Sequence, residues 1–146
     1  MSLSNESETA LLGLLFTNVD WANIGDAAGL QNSATAGNFY ISLHTADPGD
    51  TNDQTTSEAA YTDYARVAIA RTTDAWTVTG DTVANDSSVT FPLCGETGST
   101  VTHFGIGTAA SGSGHMVATG ALTAQLVISA GVTPSFASGA LTATAT

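Results

Sequence analysis

The chain contains no lysine and only two arginines, so it offers almost nothing that could attract a phosphate backbone. Thirteen acidic residues against these two cations give a formal net charge of −11 over 146 residues. Nucleic acids and anionic membrane surfaces are therefore not expected as partners. Charged residues make up only 10% of the chain, against a usual fraction of about 25%, so little charge is available to solvate its surface.

Cysteine and long apolar runs are also scarce. The single cysteine, Cys94, cannot form an internal disulfide, and we expect it to be a small buried hydrophobic residue. No apolar run approaches the ~20 residues of a membrane span, and residues 1–6 lack the basic region of a signal peptide. These features predict a soluble protein made in a cytoplasm, with a length that fits one domain.

Residues that commonly build catalytic or metal sites are few and scattered. The histidines, His44, His103 and His115, lie too far apart for a local metal-ligand spacing, and Cys94 has no neighbouring base. The glycine-rich segment 111–114 lacks the lysine of a phosphate-binding loop. We therefore predict no catalytic, metal or cofactor site and no enzymatic activity.

The distribution of charge is uneven along the chain. All acids and both arginines lie between Glu6 and Glu96, and residues 97–146 contain no Asp, Glu, Lys or Arg. Because monomers usually keep charged side chains on their surface, this stretch predicts contact with copies of the chain or with a partner. The alternative is that its hydroxyl groups solvate the surface by themselves.

The N-terminal segment has a helical pattern. Asn5 and Glu8 have the spacing of a capping box, which predicts a helix beginning near Glu6. Apolar residues then recur at spacings of three and four, namely Leu11, Leu12, Leu15, Phe16 and Val19. This stripe is either core or an arm on a neighbouring subunit, and Trp21 and Ile24 could continue it as a second turn. We predict a helical arm over residues 1–30 and a body over residues 38–146 within one domain overall.

The period then changes from about 3.6 to 2. In the segment 39–44, Phe39, Ile41 and Leu43 alternate with polar residues, which predicts a half-buried strand ending before the Asp47-Pro48-Gly49-Asp50 turn. Further strands are predicted at 65–72, 76–83, 88–93, 101–106, 117–122, 126–129 and 141–144. This regular spacing of β-branched segments favours an antiparallel β-sandwich or jelly roll with a short N-terminal helix.

Two groups of charged residues are candidate contact sites. The polar segment 50–62 predicts a loop that faces water or a partner, with Asp47, Asp50 and Asp53 as its candidate contact residues. Arg66 and Arg71 are the only cations, five residues apart on a predicted strand, and so should point to opposite faces and meet different carboxylates. The interface candidates are therefore these three acids, the two arginines and four apolar residues of the helical stripe, Leu11, Leu12, Leu15 and Phe16.

Three segments resemble a family of small tailed-phage virion proteins, several of which are described as tail fibre proteins. They are residues 39–49, residues 56–67 with the pattern Tyr-x-x-Tyr-Ala-Arg, and residues 101–107, in the same order as in the family. The resemblance covers about residues 38–122, behind a helical segment. It implies a location in the virion and synthesis in the cytoplasm of a host bacterium. The size and predicted sandwich also resemble jelly-roll cement proteins that clamp neighbouring capsomers.

These resemblances lead to two expectations. The first is a non-enzymatic structural protein that decorates or cements the capsid, binding the major capsid protein and copies of itself as a dimer or trimer. The alternative is a tail or tail-fibre component that binds tail proteins, with receptor or glycan binding as a further possibility. The absence of heptads and repeats disfavours a long fibre.

Overall fold

The computed structural model describes residues 2–145 and is mainly β, with antiparallel sheets and one short N-terminal α-helix. The helix α1 spans Asn5–Leu12 and continues as a π-helical turn over Gly13–Thr17. The strands are β1 (Asn38–His44), β2 (Val67–Ala70), β3 (Trp76–Thr79), β4 (Thr82–Asn85), β5 (Val89–Thr90), β6 (Ser99–Gly107), β7 (Met116–Ile128), β8 (Ser135–Phe136) and β9 (Thr142–Thr144). The predicted antiparallel, sandwich-like β class is confirmed. None of the helices between residues 2 and 145 has the length and apolar character needed to cross a membrane.

The strands form three sheets, with the orders β2-β1-β6-β7, β3-β4-β9 and β5-β8. The described residues fall into two compact units. Unit 1 comprises the described part of residues 1–38, 70–88 and 137–146, and unit 2 comprises residues 39–69 and 89–136. The predicted arm, residues 1–30, lies within unit 1, and its action on a neighbouring subunit stays a prediction.

Unit 1 packs the helical segment on the β3-β4-β9 sheet. Phe16 is 2% exposed and meets Trp76 edge to face, with ring centroids 5.0 Å apart. Leu12, Val83 and Leu141 are buried with them. Large apolar side chains that are this deeply buried dominate the stability of a small unit, so the predicted stripe supplies core.

The beginning and end of the helix differ from the prediction. Its N-cap is Ser4, whose hydroxyl accepts a hydrogen bond from the Ser7 N–H, and the predicted box of Asn5 and Glu8 is wrong by one residue. The helical segment ends at Thr17, with Asn18 in the left-handed conformation at φ 56°, so Val19 lies beyond the helix and is 48% exposed. Trp21 lies in a bridge with Leu30 rather than in the predicted second helical turn.

Unit 2 has a sandwich-like core between its two sheets. An aromatic series connects them, with Phe104 of β6 5.8 Å from Phe136 of β8, and Phe136 6.1 Å from Phe91. Tyr64 stacks on Phe91 at 6.4 Å, and Tyr61 meets Tyr64 edge to face at 5.2 Å. Cys94 is fully buried in this unit, as predicted.

Several predicted strand boundaries are wrong. The strands predicted at 65–72 and 88–93 are shorter, Val67–Ala70 and Val89–Thr90, and β8 was not predicted. The predicted strand 76–83 is a hairpin, because Gly80 adopts a positive φ of 61° and lets β4 turn back on β3. The predicted strands 117–122 and 126–129 belong to one strand, β7, whose pairing with β6 slips across residues 122–125. The predicted turn at Asp47–Asp50 is confirmed, since Gly49 has the positive φ of 72° that a turn with proline before glycine requires.

Candidate functional site

The polar loop that follows β1 is fastened to unit 2 by an ion pair. Arg66 Nε donates to Glu58 Oε1 at 2.7 Å, and Arg66 Nη2 donates to Glu58 Oε2 at 2.8 Å. Only 2% of the Arg66 side chain and 17% of the Glu58 side chain are exposed. This two-pronged geometry matches the planar guanidinium to the carboxylate, and the bonds to Glu58 raise the pKa of Arg66 further above its ordinary value.

The same guanidinium also holds a second loop. Arg66 Nη1 donates to the Ala109 carbonyl at 2.8 Å, and Nη2 donates to the Gly112 carbonyl at 2.7 Å. Each additional bond offsets part of the cost of removing the charge from water. Arg66 therefore ties the 108–115 loop to the 45–66 loop.

Tyr64 adds a third partner to this cluster. Its hydroxyl donates to Glu58 Oε1 at 2.9 Å and accepts from the Leu43 N–H of β1 at 3.1 Å. Burial raises the pKa of Tyr64 far above its ordinary value, so the phenol keeps its proton and its donor role. Burial also raises the pKa of Tyr61 to about 12, and its hydroxyl donates to the Pro92 carbonyl at 2.9 Å.

His44 lies at the end of β1. The alternation of the sequence places its side chain on the exposed face of the strand, but in the structure it is fully buried. Its Nδ1 is 2.8 Å from the Thr56 carbonyl, and its Nε2 is 2.8 Å from Ser42 Oγ. Because a carbonyl oxygen can only accept a hydrogen bond, Nδ1 must carry the proton. In the neutral ring Nε2 then has no proton and accepts a hydrogen bond from the Ser42 hydroxyl. Burial lowers the pKa of His44, in keeping with a neutral imidazole. Because the loop covers this face, β1 is buried on both sides and is not the half-buried strand that its sequence predicts.

Gln54 is the most deeply buried polar side chain of the loop. Its Oε1 accepts from the Ala109 N–H at 3.0 Å, and its Nε2 donates to the Tyr40 carbonyl at 3.3 Å. A Cβ on Gly107 would lie 2.0 Å from Gln54 Cδ, so glycine leaves the space that this side chain occupies. The predicted water-facing loop therefore contains fully buried members, because their amide and carbonyl groups find partners inside the unit.

The polar groups of the cluster are engaged mainly with one another and with the backbone. Glu58, Tyr64 and Arg66 border an open pocket of about 260 Å³, whose lining also includes Ala110 and Gly112. The donors of Arg66 and the oxygens of Glu58 are engaged with each other or with the backbone. Within residues 2–145, no three His, Cys, Asp or Glu side chains converge in a way that could hold a metal ion. The arrangement is suited to holding two loops in fixed positions.

The predicted acidic contact residues lie on the outer part of this loop. Asp47 and Asp50 are exposed, and Asp53 is partly exposed. Asp47 Oδ1 accepts from the Gly49 N–H at 2.9 Å, which fixes the turn. Asp53 Oδ1 accepts from the N–H and the hydroxyl of Thr55, and these bonds lower the pKa of Asp53. The structure thus brings these three residues together on one loop, and their contact with a partner stays a prediction.

The two arginines lie in different units, each with its own set of contacts. Arg66 meets the carboxylate of Glu58 in the 47–63 loop, one of the two sources of a partner that the sequence left open, the other being another subunit. Arg71 donates to the carbonyls of Leu14, Leu15 and Ala36 in unit 1. The first two carbonyls belong to the π-helical turn, whose terminal carbonyls attract a cation.

The four apolar interface candidates divide into two kinds. Leu12 and Phe16 are buried in unit 1, 4% and 2% exposed, so they are committed to the interior of the chain itself. Leu11 and Leu15 are partly exposed. These two remain available for contact with a neighbour.

Glu58, Tyr64, Gln54 and His44 were not among the predicted site residues. The pattern Tyr-x-x-Tyr-Ala-Arg marks two members of the cluster, Tyr64 and Arg66, together with the buried Tyr61. Nothing in the local sequence distinguishes Glu58 from the other acids. Its role arises only because the folded chain places Arg66 beside it.

Comparison with known protein families gives a match over nearly the whole chain. No curated protein matches the chain. A family model described as podophage GP4 fiber I protein gp80 matches residues 2–144, which includes both units and the whole polar cluster. The chain therefore belongs to the podophage GP4 fiber I protein gp80 family.

Proposed function

We propose that this protein is a structural component of a podophage fibre and performs no catalysis. The observation that supports this most directly is the match of the fiber I family model to residues 2–144. Because the match extends over nearly the whole chain, it favours the tail-fibre alternative over capsid cement. We further propose that the protein is made in the host cytoplasm and assembles with copies of itself and with tail proteins, without binding nucleic acid or membrane.

The geometry of unit 2 supports a structural role. Its polar side chains are used to lock the loops 45–66 and 108–115 in place, with Arg66 bonded to both. A fixed loop surface is suited to a repeated contact in an assembly, because little conformational entropy is lost when the contact forms. The exposed Asp47 and Asp50 would then present negative charge to a partner.

Immunogold electron microscopy of the source virus, with an antibody raised against the folded protein, tests the proposal. We expect gold at the tail and its appendages, and no gold when the antibody is first saturated with the purified protein. Label distributed over the head would instead favour capsid decoration. Particles without label, despite detection of the protein in infected cells, would contradict a role in the virion.

A further inference from the structure

The last strand of the four-stranded sheet has an open outer edge. β7 is paired with β6 on its inner side, and no strand among residues 2–145 pairs with its outer side. Its second half is the more exposed, with Ala121, Thr123, Ala124 and Gln125 all exposed and Val127 59% exposed. Unpaired N–H and C=O groups at such an edge are a template for another chain.

This edge has one of the features that usually protect an edge strand, the slip in its pairing with β6 across residues 122–125, and lacks two others. β7 contains no proline and no charged residue, whereas lysine, inward-pointing charge or proline commonly block association at exposed edges. Val127 is the most exposed of the large apolar residues that the structure describes. Opposite it on β6, Thr100 is also exposed, so the uncharged surface extends onto the neighbouring strand.

The distribution of charge identifies the partner. A basic partner would gain most at the segment 6–96, where all 13 acids lie, and would gain little at β7. A second copy of this chain also has a net charge of −11, and its approach is least opposed at residues 121–127, which include no acid and follow the part of β7, residues 116–119, that borders Asp50. We propose that residues 121–127 contact the same segment of a second copy, in an isologous interface. This inference does not depend on where in the virion the protein lies.

Opposite charges placed at one position test this interface. The full-length protein is compared with Gln125→Glu and Gln125→Lys by sedimentation velocity over a range of concentrations. We expect the wild type to self-associate and each variant alone to do so about tenfold or more weakly, since like charges would face each other across the contact. An equimolar mixture of the two variants should recover association, because unlike charges then meet.

The matched control is Gln31→Glu, which adds the same charge at an exposed position of unit 1. We expect it to associate like the wild type, and circular dichroism should show all variants folded. A second readout needs no variant: amide hydrogen exchange of the wild type should slow in residues 121–127 as the protein is concentrated. The inference would be overturned if the wild type remained monomeric or if Gln31→Glu weakened association as much as the variants at Gln125. It would also be overturned if the mixture of variants did not recover association, or if hydrogen exchange at residues 121–127 did not change with concentration.

Discussion

Glu58 and Arg66, eight residues apart, are joined by two parallel hydrogen bonds of 2.7 and 2.8 Å in the interior of unit 2. The pair is flanked by Tyr64, which donates to the same carboxylate. Both charges lose most of their contact with water, and the pair persists because each is compensated by the other and by further hydrogen bonds. This ion pair, together with the bonds of Tyr64, Gln54 and His44, thus holds the loop in place.

Removing the charge of Glu58 should strongly destabilise the protein. Glu58→Gln leaves the Arg66 guanidinium buried without a carboxylate, and the free energy of unfolding should fall by about 3 kcal/mol. Urea denaturation followed by circular dichroism measures this change. Asp50→Asn is the control, because it removes an exposed carboxylate from the same loop and should change stability by less than about 0.5 kcal/mol.

The double variant Glu58→Gln with Arg66→Met distinguishes two causes of destabilisation: the buried charge left without a partner, and the loss of the hydrogen bonds between the two side chains. It removes the cation as well, so it should be more stable than Glu58→Gln alone. If the double variant loses the sum of the two single effects, the two residues act independently and the ion pair is not the cause.

Sequence alone located one half of this cluster. Arg66 stands out because cations are so scarce, and its expected partner is a carboxylate either in the 47–63 loop or on another subunit. Glu58 could not be chosen from the loop's acids, since the choice depends on the three-dimensional return of the chain. The burial of Gln54 and His44 was unpredictable for a related reason: a polar residue is buried only where backbone groups from distant segments satisfy it.

Acidification should weaken the fold through His44. Its pKa is lowered in the folded state, so the unfolded chain, with an ordinary value of 6.5, binds the proton more readily. The neutral ring makes its full contribution to the free energy of unfolding above pH 6.5. This contribution is lost as the pH falls from 6.5 through the lowered pKa of the folded state. Unfolding free energies measured at a series of pH values should decline in this window by at most about 1.4 kcal/mol per pH unit.

The variant His44→Gln provides the control for this pH dependence. It lacks the titrating group, although Glu58, Arg66 and His103 still surround the position. The free energy of unfolding of this variant should be lower at neutral pH and should depend less on pH below 6.5. A wild type and a variant with parallel profiles would assign the pH dependence to other groups.

Gly107 should not tolerate a methyl group. A Cβ there would meet three atoms of the Gln54 side chain at 2.0 to 2.4 Å, in a place where Gln54 is fully buried. Gly107→Ala should therefore lower the free energy of unfolding by about 1–3 kcal/mol, as overpacking does. The matched control is Gly13→Ala, whose Cβ would have its nearest neighbour at 3.8 Å in a helical backbone and should stabilise the protein slightly.

The strands were more predictable than their boundaries. Period-2 alternation identified β1, and the Asp47–Asp50 turn followed from the fixed φ of proline and the freedom of glycine. The hairpin was missed although Gly80 and Asp81 form a two-residue turn signal and the apolar positions change parity between Val78 and Val83. The sequence predicts a gap between two strands at residues 123–125. The pairing with β6 is irregular at that place, but a single strand, β7, runs through it.

The position of Phe16 leads to a prediction about the N-terminal segment. A separable arm would leave the rest of the chain folded when its apolar residues are removed, whereas a core residue would not. Phe16 is 2% exposed and its ring lies 5.0 Å from that of Trp76, so Phe16→Ala should cost about 3–5 kcal/mol of unfolding free energy. Thermal unfolding followed by the fluorescence of Trp76 and Trp21 measures the loss.

Val19→Ala is the comparison, because Val19 belongs to the same predicted stripe but is 48% exposed. Its replacement should change stability by less than about 0.5 kcal/mol. If Phe16→Ala were as mild as Val19→Ala while abolishing self-association, the segment would be an arm whose apolar stripe is completed by a neighbour. A large loss of stability for Phe16→Ala alone assigns that side chain to the core, and leaves Leu11 and Leu15 as the residues of this segment that can contact a partner.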